Sequence, residues 1–250
     1  MIKNPFEIDY LNLFKIAEKF ETSYKSSKPF PHTILDGFLT SKGYNKICKA
    51  FPKNNDEIWK TPTNVHTVGK SVTKNGSLGL KEFSYSEDAR RFYHELNSSL
   101  FLTFLEKLTG IKNLLPDPYF SEGGFHKTTS GGYLDIHADF SHNDKLGLER
   151  RINLIFYLND NWYESYGGEL GLYDKNLTKV VSIAPIANRV AIFTTSDNSF
   201  HGYPERISCP AKKYRKSIAI YYYSLPTAHR RKSSISFPTD PEFTLKVKKS

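Results

Sequence analysis

His137 and Asp139 stand two residues apart in the run Ser130-Gly-Gly-Tyr-Leu-Asp-Ile-His-Ala-Asp139. A glycine pair marks a turn, and the residues after it alternate as a strand does. Residues two apart on a strand point to one face, so this imidazole and this carboxylate project side by side. They make two-thirds of a 2-His-1-carboxylate triad, which holds non-haem Fe(II) and leaves coordination positions open. A lone His-x-Asp pair is common by chance, so a third ligand is needed. The run Arg189-Val-Ala-Ile-Phe-Thr-Thr-Ser reads as a strand that passes through a turn at Asp197-Asn-Ser-Phe and then presents His201-Gly-Tyr-Pro. His201 lies 64 residues after His137, a separation suited to opposite sides of one β core. Joined to the pair, it completes one face of an octahedron and leaves three positions for water, or for a bidentate ligand plus O₂.

Fourteen residues past His201 comes Arg215-Lys-Ser-Ile-Ala-Ile-Tyr-Tyr-Tyr, a strand with Arg215 and Ser217 on one face. A guanidinium donates two parallel hydrogen bonds to a carboxylate, and a hydroxyl beside it adds a further donor. On Arg151-Ile-Asn-Leu-Ile-Phe-Tyr-Leu, alternation separates Asn153 and Tyr157 from Ile152, Leu154, Phe156 and Leu158. The apolar set requires helices over it. The polar set could line a pocket in which the Tyr157 phenol shares a carboxylate with Arg215. An iron triad with a carboxylate clamp points to a dicarboxylate co-substrate that chelates the metal at its other end. His126 stands on the strand before the metal strand, where it could face co-substrate or substrate. His142 and Asp144 read as a solvated loop, and Arg150 and Arg151 as surface residues. Gly167-Gly168 reads as a turn or bulge, and Cys48 and Cys209 as inert.

These residues need a scaffold. Phe6, Ile8, Leu11, Leu13, Phe14, Ile16, Ala17 and Phe20 form an apolar stripe at near-helical spacing from Asn4 to about Ser23, with Asn4 and Pro5 as cap and first helical position. Residues 32–39 read as a strand, and Thr40 or Ser41 caps a helix running to about Phe51. Pro52 to Leu80 is polar and irregular, a candidate lid or substrate loop. One long helix is expected from Ser86 to Thr109, stopped by Gly110. After Gly110 short runs are punctuated by Gly, Pro, Asn and Asp: Tyr119–Thr128, Tyr133–Phe140, Arg151–Leu158, Glu169–Tyr173, Lys179–Ile183, Arg189–Thr195 and Lys216–Ser224. That spacing predicts an antiparallel sandwich or barrel. The fold class is therefore mainly β with flanking helices (α+β). Helical support covers roughly residues 1–115 and a β core roughly 116–225 of one domain, 1–228, followed by a basic tail, 229–250.

With 38% apolar residues and 36 aromatic ones among 250, the chain can bury a real core. No apolar run approaches the roughly 20 residues that span a bilayer, and the first residues lack the apolar stretch of a signal peptide. Two cysteines build neither a disulfide framework nor a zinc signature, so a reducing, cytoplasmic setting is expected. The net charge of +9 invites a nucleic-acid reading, but the tail alone carries about +4 of it and no basic helix stands out elsewhere. Nucleic acid and membrane are thus set aside as partners, in favour of a small-molecule or peptidyl substrate.

The ordered set resembles the Fe(II)/2-oxoglutarate-dependent dioxygenases, in their prolyl 4-hydroxylase-like branch. The resemblance spans about Phe30 to Ser224 and is strongest from Gly123 onward. It rests on His137-Ala-Asp139, on Tyr157-Leu-Asn-Asp-Asn-Trp162 followed by Gly167-Gly168-Glu-Leu, on His201-Gly-Tyr-Pro and on Arg215-Lys-Ser217. It implies a double-stranded β-helix (jelly roll) with supporting helices. It also implies Fe(II) on His137, Asp139 and His201, and 2-oxoglutarate with its far carboxylate on Arg215, supported by Tyr157. Ser217, Asn153 and His126 are further candidates for the co-substrate pocket. The implied reaction hydroxylates an unactivated C–H bond, with O₂ and 2-oxoglutarate consumed, succinate and CO₂ formed, and ascorbate as an optional reductant. Collagen-type members clamp with lysine where this chain has Arg215. Nucleic-acid demethylases of the wider superfamily carry a second arginine six residues after the clamp, where this chain has Tyr221. Two rivals stand beside this reading. One is the same iron centre with a non-hydroxylating outcome, although halogenases replace the carboxylate that Asp139 retains. The other is a non-catalytic β-barrel binding module.

Overall fold

A computed structural model describes residues 8–53, 59, 67–68, 70–71, 85–120, 123–226 and 235–237. The anticipated cap at Asn4-Pro5, most of Pro52–Leu80 and most of the basic tail lie outside them. Four α-helices occur among the described residues: α1 (Tyr10–Ser26), α2 (Ser41–Ala50), α3 (Glu87–Leu96) and α4 (Ser99–Thr109). Each starts behind a side chain that accepts a backbone N–H: Asp9, Thr40, Ser86 and Ser98 in turn. The single helix expected over Ser86–Thr109 is thus two. The Asn97 amide donates to the Tyr93 carbonyl at 2.9 Å, and the Ser98 hydroxyl accepts from the Phe101 N–H at 3.3 Å. Short polar side chains take over backbone partners here, which ends one helix and begins the next. Gly110, at φ 75°, closes α4 in the left-handed region that glycine adopts without penalty.

The strands are β1 (His32–Asp36), β2 (Thr67–Val68), β3 (Lys70–Ser71), β4 (Gly124–Thr128), β5 (Tyr133–Ala138), β6 (His142–Asn143), β7 (Leu148–Tyr157), β8 (Leu170–Tyr173), β9 (Lys179–Ile183), β10 (Arg189–Thr194), β11 (Phe200–Tyr203), β12 (Arg215–Ser224) and β13 (Ile235–Phe237). They form two antiparallel sheets. The larger runs β1-β10-β7-β12-β4-β3 with β6 on β7, and the smaller β13-β5-β11-β8-β9 with β2 on β5. This is the jelly-roll architecture with helices on one side. Within the Pro52–Leu80 segment, expected to be irregular, β2 and β3 pair with β5 and β4. In the basic tail, placed after the domain, β13 pairs with β5, and Phe237 packs edge-on against Phe200. Three residues of backbone ladder and one ring contact are enough to hold that piece to the sheet edge.

Alternation sorts the larger sheet as the side-chain pattern requires. Ile152, Leu154, Phe156, Ile218, Ile220 and Tyr222 pack with Phe92, Phe101 and Phe104 of the helices. Tyr157 and Phe193, on the opposite face, pack with Leu170, Leu172 and Tyr203 of the smaller sheet. Phe156 ties the layers together, with ring centroids 5.8 Å from Phe38, 6.4 Å from Tyr44 and 5.7 Å from Phe92. Phe156→Ala should cost about 3–5 kcal/mol from transfer and cavity contributions, measured as a loss of denaturant midpoint with an unchanged slope.

Candidate active site

His137 on β5 and His201 on β11 are direct cross-strand partners, with ring centroids 4.4 Å apart. The two histidines are therefore neighbours on adjacent strands, and His201 sits on a strand of its own, where opposite sides of the core had been expected. Local pattern does not reveal which strands pair. Asp139 follows the end of β5 and closes the third corner. Its Oδ1 lies 3.7 Å from His137 Nε2 and its Oδ2 lies 3.4 Å from His201 Nε2. Among the described residues these three alone form a group with potential ligand atoms converging, all within 4.8 Å of one another.

Each imidazole is oriented by its own backbone. Nδ1 of His137 lies 2.9 Å from the Asp135 carbonyl, and Nδ1 of His201 lies 2.9 Å from the Ser199 carbonyl. A carbonyl can only accept, so Nδ1 carries the proton and Nε2 keeps its lone pair for a metal. Burial, reinforced by neighbouring His137, pushes His201 down to about 4, leaving it neutral near pH 7. Burial acts to raise Asp139, but Arg150, the two histidines and the Asn153 amide outweigh it and hold the carboxyl well below the usual carboxylate range. Two imidazoles and one carboxylate with converging ligand atoms suit Fe(II).

Gly202, between His201 and Tyr203, sits where β11 shifts register against β5. A Cβ there would lie 2.7 Å from the Asp135 carbonyl oxygen and 2.9 Å from that of Leu134. Gly202→Ala should therefore push β11 off β5, destabilise the fold by about 1–3 kcal/mol and separate the two histidines. Thermal melting combined with a Co(II) titration checks both effects.

A second cluster gathers around Arg215 on β12. Arg215 is 4% exposed, and its guanidinium carbon lies 5.1 Å from the Tyr157 ring centroid and 4.2 Å from that of Tyr203. Nε donates to the Gly168 carbonyl at 2.6 Å. Among the described residues no carboxylate pairs with it. Tyr157 is fully buried, and its hydroxyl has no hydrogen-bond partner among the described residues. Burial raises the Tyr157 phenol while Arg215 opposes that shift. Ser217 faces Tyr157 on one neighbouring strand and His126 on the other, which places all three beside Arg215 on the inner face. Thr128, opposite Arg215, shares a 3.0 Å hydrogen bond with the Tyr203 hydroxyl. A buried cation without a counter-ion and a buried hydroxyl without a partner are costly unless a ligand meets them. A carboxylate meets both.

Two expectations need correction. The Asn153 side chain bonds away from the Arg215 cluster. Its amide donates to Asp139 Oδ2 at 2.7 Å, and its oxygen accepts from Arg150 Nε at 2.8 Å and from the Thr195 hydroxyl at 3.1 Å, so its bonding capacity serves the metal carboxylate. Arg150 is no surface residue: it is 1% exposed, with a terminal nitrogen 3.1 Å from Asp139 Oδ2. Tyr222 faces Ile152 but Tyr223 faces Arg150, so Arg151 is an extra residue in β7. That bulge turns Arg150 from the apolar face to the face of Asn153. No local pattern marks a bulge, and Arg150 was missed for that reason.

A sandwich of this topology, with a two-histidine, one-carboxylate cluster and a buried guanidinium, has the fold and the ligand set that the sequence resemblance implies. Residues 123–223, which contain the triad, Tyr157 and Arg215, match the 2OG-Fe(II) oxygenase superfamily, and this match points to a 2-oxoglutarate- and Fe(II)-dependent oxygenase. Similar solved structures include a prolyl hydroxylase from Trichoplax adhaerens in complex with a hypoxia inducible factor oxygen degradation domain peptide. It is 18% identical, with a TM-score of 0.59 over 86% of this chain and 91% of that one. A Pseudomonas putida prolyl-4-hydroxylase is 14% identical, with a TM-score of 0.59 over 86% of this chain and 100% of that one. The viral collagen prolyl hydroxylase of Paramecium Bursaria Chlorella virus-1, in a 2OG complex, is 14% identical, with a TM-score of 0.50 over 78% and 96% of the two chains. At these identities the likeness is one of fold.

Proposed function

We propose that this protein hydroxylates an unactivated C–H bond of a peptidyl substrate in the manner of a prolyl 4-hydroxylase. In this reading His137, Asp139 and His201 hold Fe(II), and Arg215 with Tyr157 holds the far carboxylate of 2-oxoglutarate. The observation that carries the reading is the buried Arg215 guanidinium, which among the described residues lacks a carboxylate partner and lies beside the Tyr157 hydroxyl, likewise unpartnered there. Bound Fe(II), with O₂ and 2-oxoglutarate, supplies the oxidising chemistry, which yields succinate, CO₂ and one hydroxyl on the substrate.

The residues of the chain do the rest. Nδ1–H bonds to the Asp135 and Ser199 carbonyls hold both imidazoles with Nε2 toward the metal. Asn153 and Arg150 hold Asp139. Arg215 and Tyr157 orient the co-substrate by a charge-assisted pair of bonds and exclude water from its far end. A peptide is favoured over a small molecule because the T. adhaerens relative carries one, and because strands from the two polar segments pair with β5, the strand that carries His137.

The test is anaerobic loading with Fe(II), then O₂ and 2-oxoglutarate, with and without ascorbate, against a panel of proline-containing peptides and small molecules. Succinate above the level of His137→Ala, with a hydroxylated product of one added oxygen, is expected. No excess over that variant across the panel sinks the hydroxylase reading and leaves the binding module.

A further inference from the structure

Arg150 is the charged residue at the site that neither the metal nor the co-substrate accounts for. Its guanidinium carbon lies 3.3 Å from the Tyr221 ring centroid and 5.0 Å from that of Phe140. Nε donates to Asn153 at 2.8 Å, and a terminal nitrogen lies 3.1 Å from Asp139 Oδ2. The cation is thus held between two aromatic faces, on one amide and one carboxylate, with 1% of the residue exposed. Tyr221 supplies the platform from β12, and the bulge in β7 supplies the guanidinium.

Consider the site before a metal enters. Asp139 is a largely buried carboxylate, and besides Arg150 its neighbours include two imidazoles and the Asn153 amide. A buried charge with no counter-charge is strongly unfavourable. A divalent ion removes that problem in the loaded protein, but something must remove it in the empty one. We propose that Arg150 is a positioning residue that supplies the counter-charge to Asp139 in the metal-free protein and so keeps the three ligands assembled for metal entry. The proposal rests on reading His137, Asp139 and His201 as a metal site. It goes beyond that reading by dividing the roles: the metal neutralises Asp139 in one state, and Arg150 does so in the other.

The consequence separates this role from plain packing. A residue that merely fills the core contributes equally with and without metal. A counter-charge contributes mostly without it, because the metal compensates for its loss. The experiment is thermal melting of wild type, Arg150→Met, Arg150→Lys and His137→Ala, each with EDTA and with saturating Co(II). For Arg150→Met, the metal-free midpoint should fall by roughly 10 °C, and the Co(II)-loaded midpoint by less than half as much. The Co(II)-induced rise is then larger than in wild type. Arg150→Lys, which keeps the charge, should recover most of the metal-free midpoint. Equal falls in both states, or a lysine variant no better than the methionine one, overturn the proposal. If Arg150→Met does not fold in EDTA, folding on Co(II) addition supports the counter-charge role, and failure to fold with Co(II) overturns it. A wild type that shows no more Co(II) shift than His137→Ala defeats the metal-site reading itself, whereas a wild-type shift with equal falls in Arg150→Met defeats the Arg150 role alone.

Discussion

Replacing His137 or Asp139 with alanine is expected to lower affinity for a divalent ion by more than about a hundredfold, since losses of ten- to hundredfold follow even from disturbing groups behind the ligands. Turnover should fall to background with it. The two variants should nevertheless differ in stability, and the difference is diagnostic. Removing His137 leaves no buried guanidinium behind: its ring contacts a carbonyl on one side and the Asp139 carboxylate, 3.7 Å away, on the other. Asp139 is the carboxylate 3.1 Å from buried Arg150, so Asp139→Ala leaves that guanidinium without its counter-charge. Breaking one side of a buried pair costs about 3–5 kcal/mol, or roughly 10 °C in a chain of this size. Calorimetry with Co(II) should show both variants blind to metal, while thermal melting shows Asp139→Ala well below His137→Ala. Metal binding retained by either variant would remove these residues from the coordination sphere.

What could be read from the sequence follows from how local each feature is. The His137-x-Asp139 pair needs only strand alternation over three residues, and the two faces of β7 need only the same rule over eight. Both are local, and the apolar face of Ile152, Leu154 and Phe156 lies under the helices as alternation requires. The adjacency of His137 and His201 is set by the pairing of β5 with β11, a long-range register that spacing along the chain does not encode. Asn153 shows the intermediate case. Alternation places it on the polar face with Tyr157, but its position along the strand, four residues earlier, sets it at Asp139 instead of at the clamp. Arg150 inverts the rule, because one inserted residue reverses the face of everything before it. The long helix failed for a different reason. The apolar stripe from Ala89 to Leu108 keeps helical spacing, but Asn97 and Ser98 offer the backbone competing partners in the middle of it.

The clamp yields the second large effect, and its two halves should behave differently. Arg215→Met removes a buried cation that a co-substrate carboxylate would pair with. Truncating one partner of a buried, hydrogen-bonded charge pair costs about 2–5 kcal/mol, so KM for 2-oxoglutarate should rise by roughly 30- to several thousandfold, with kcat recovered only as far as saturation can be reached. Arg215→Lys should recover part of this, because an ammonium keeps the charge but loses the planar fork. Tyr157→Phe removes one neutral donor to a charged acceptor, worth about 1.5–3 kcal/mol, and should raise the same KM by roughly ten- to a hundredfold. Its effect on the free protein has the opposite sign. The Tyr157 hydroxyl is buried without a hydrogen-bond partner among the described residues, so deleting it removes a desolvated polar group and should leave the melting temperature unchanged or raised. A single substitution that weakens 2-oxoglutarate binding without destabilising the protein identifies the hydroxyl as a ligand-facing group. A loss of stability in Tyr157→Phe, with an unchanged KM, would instead make it part of the core and leave Arg215 to hold the carboxylate alone.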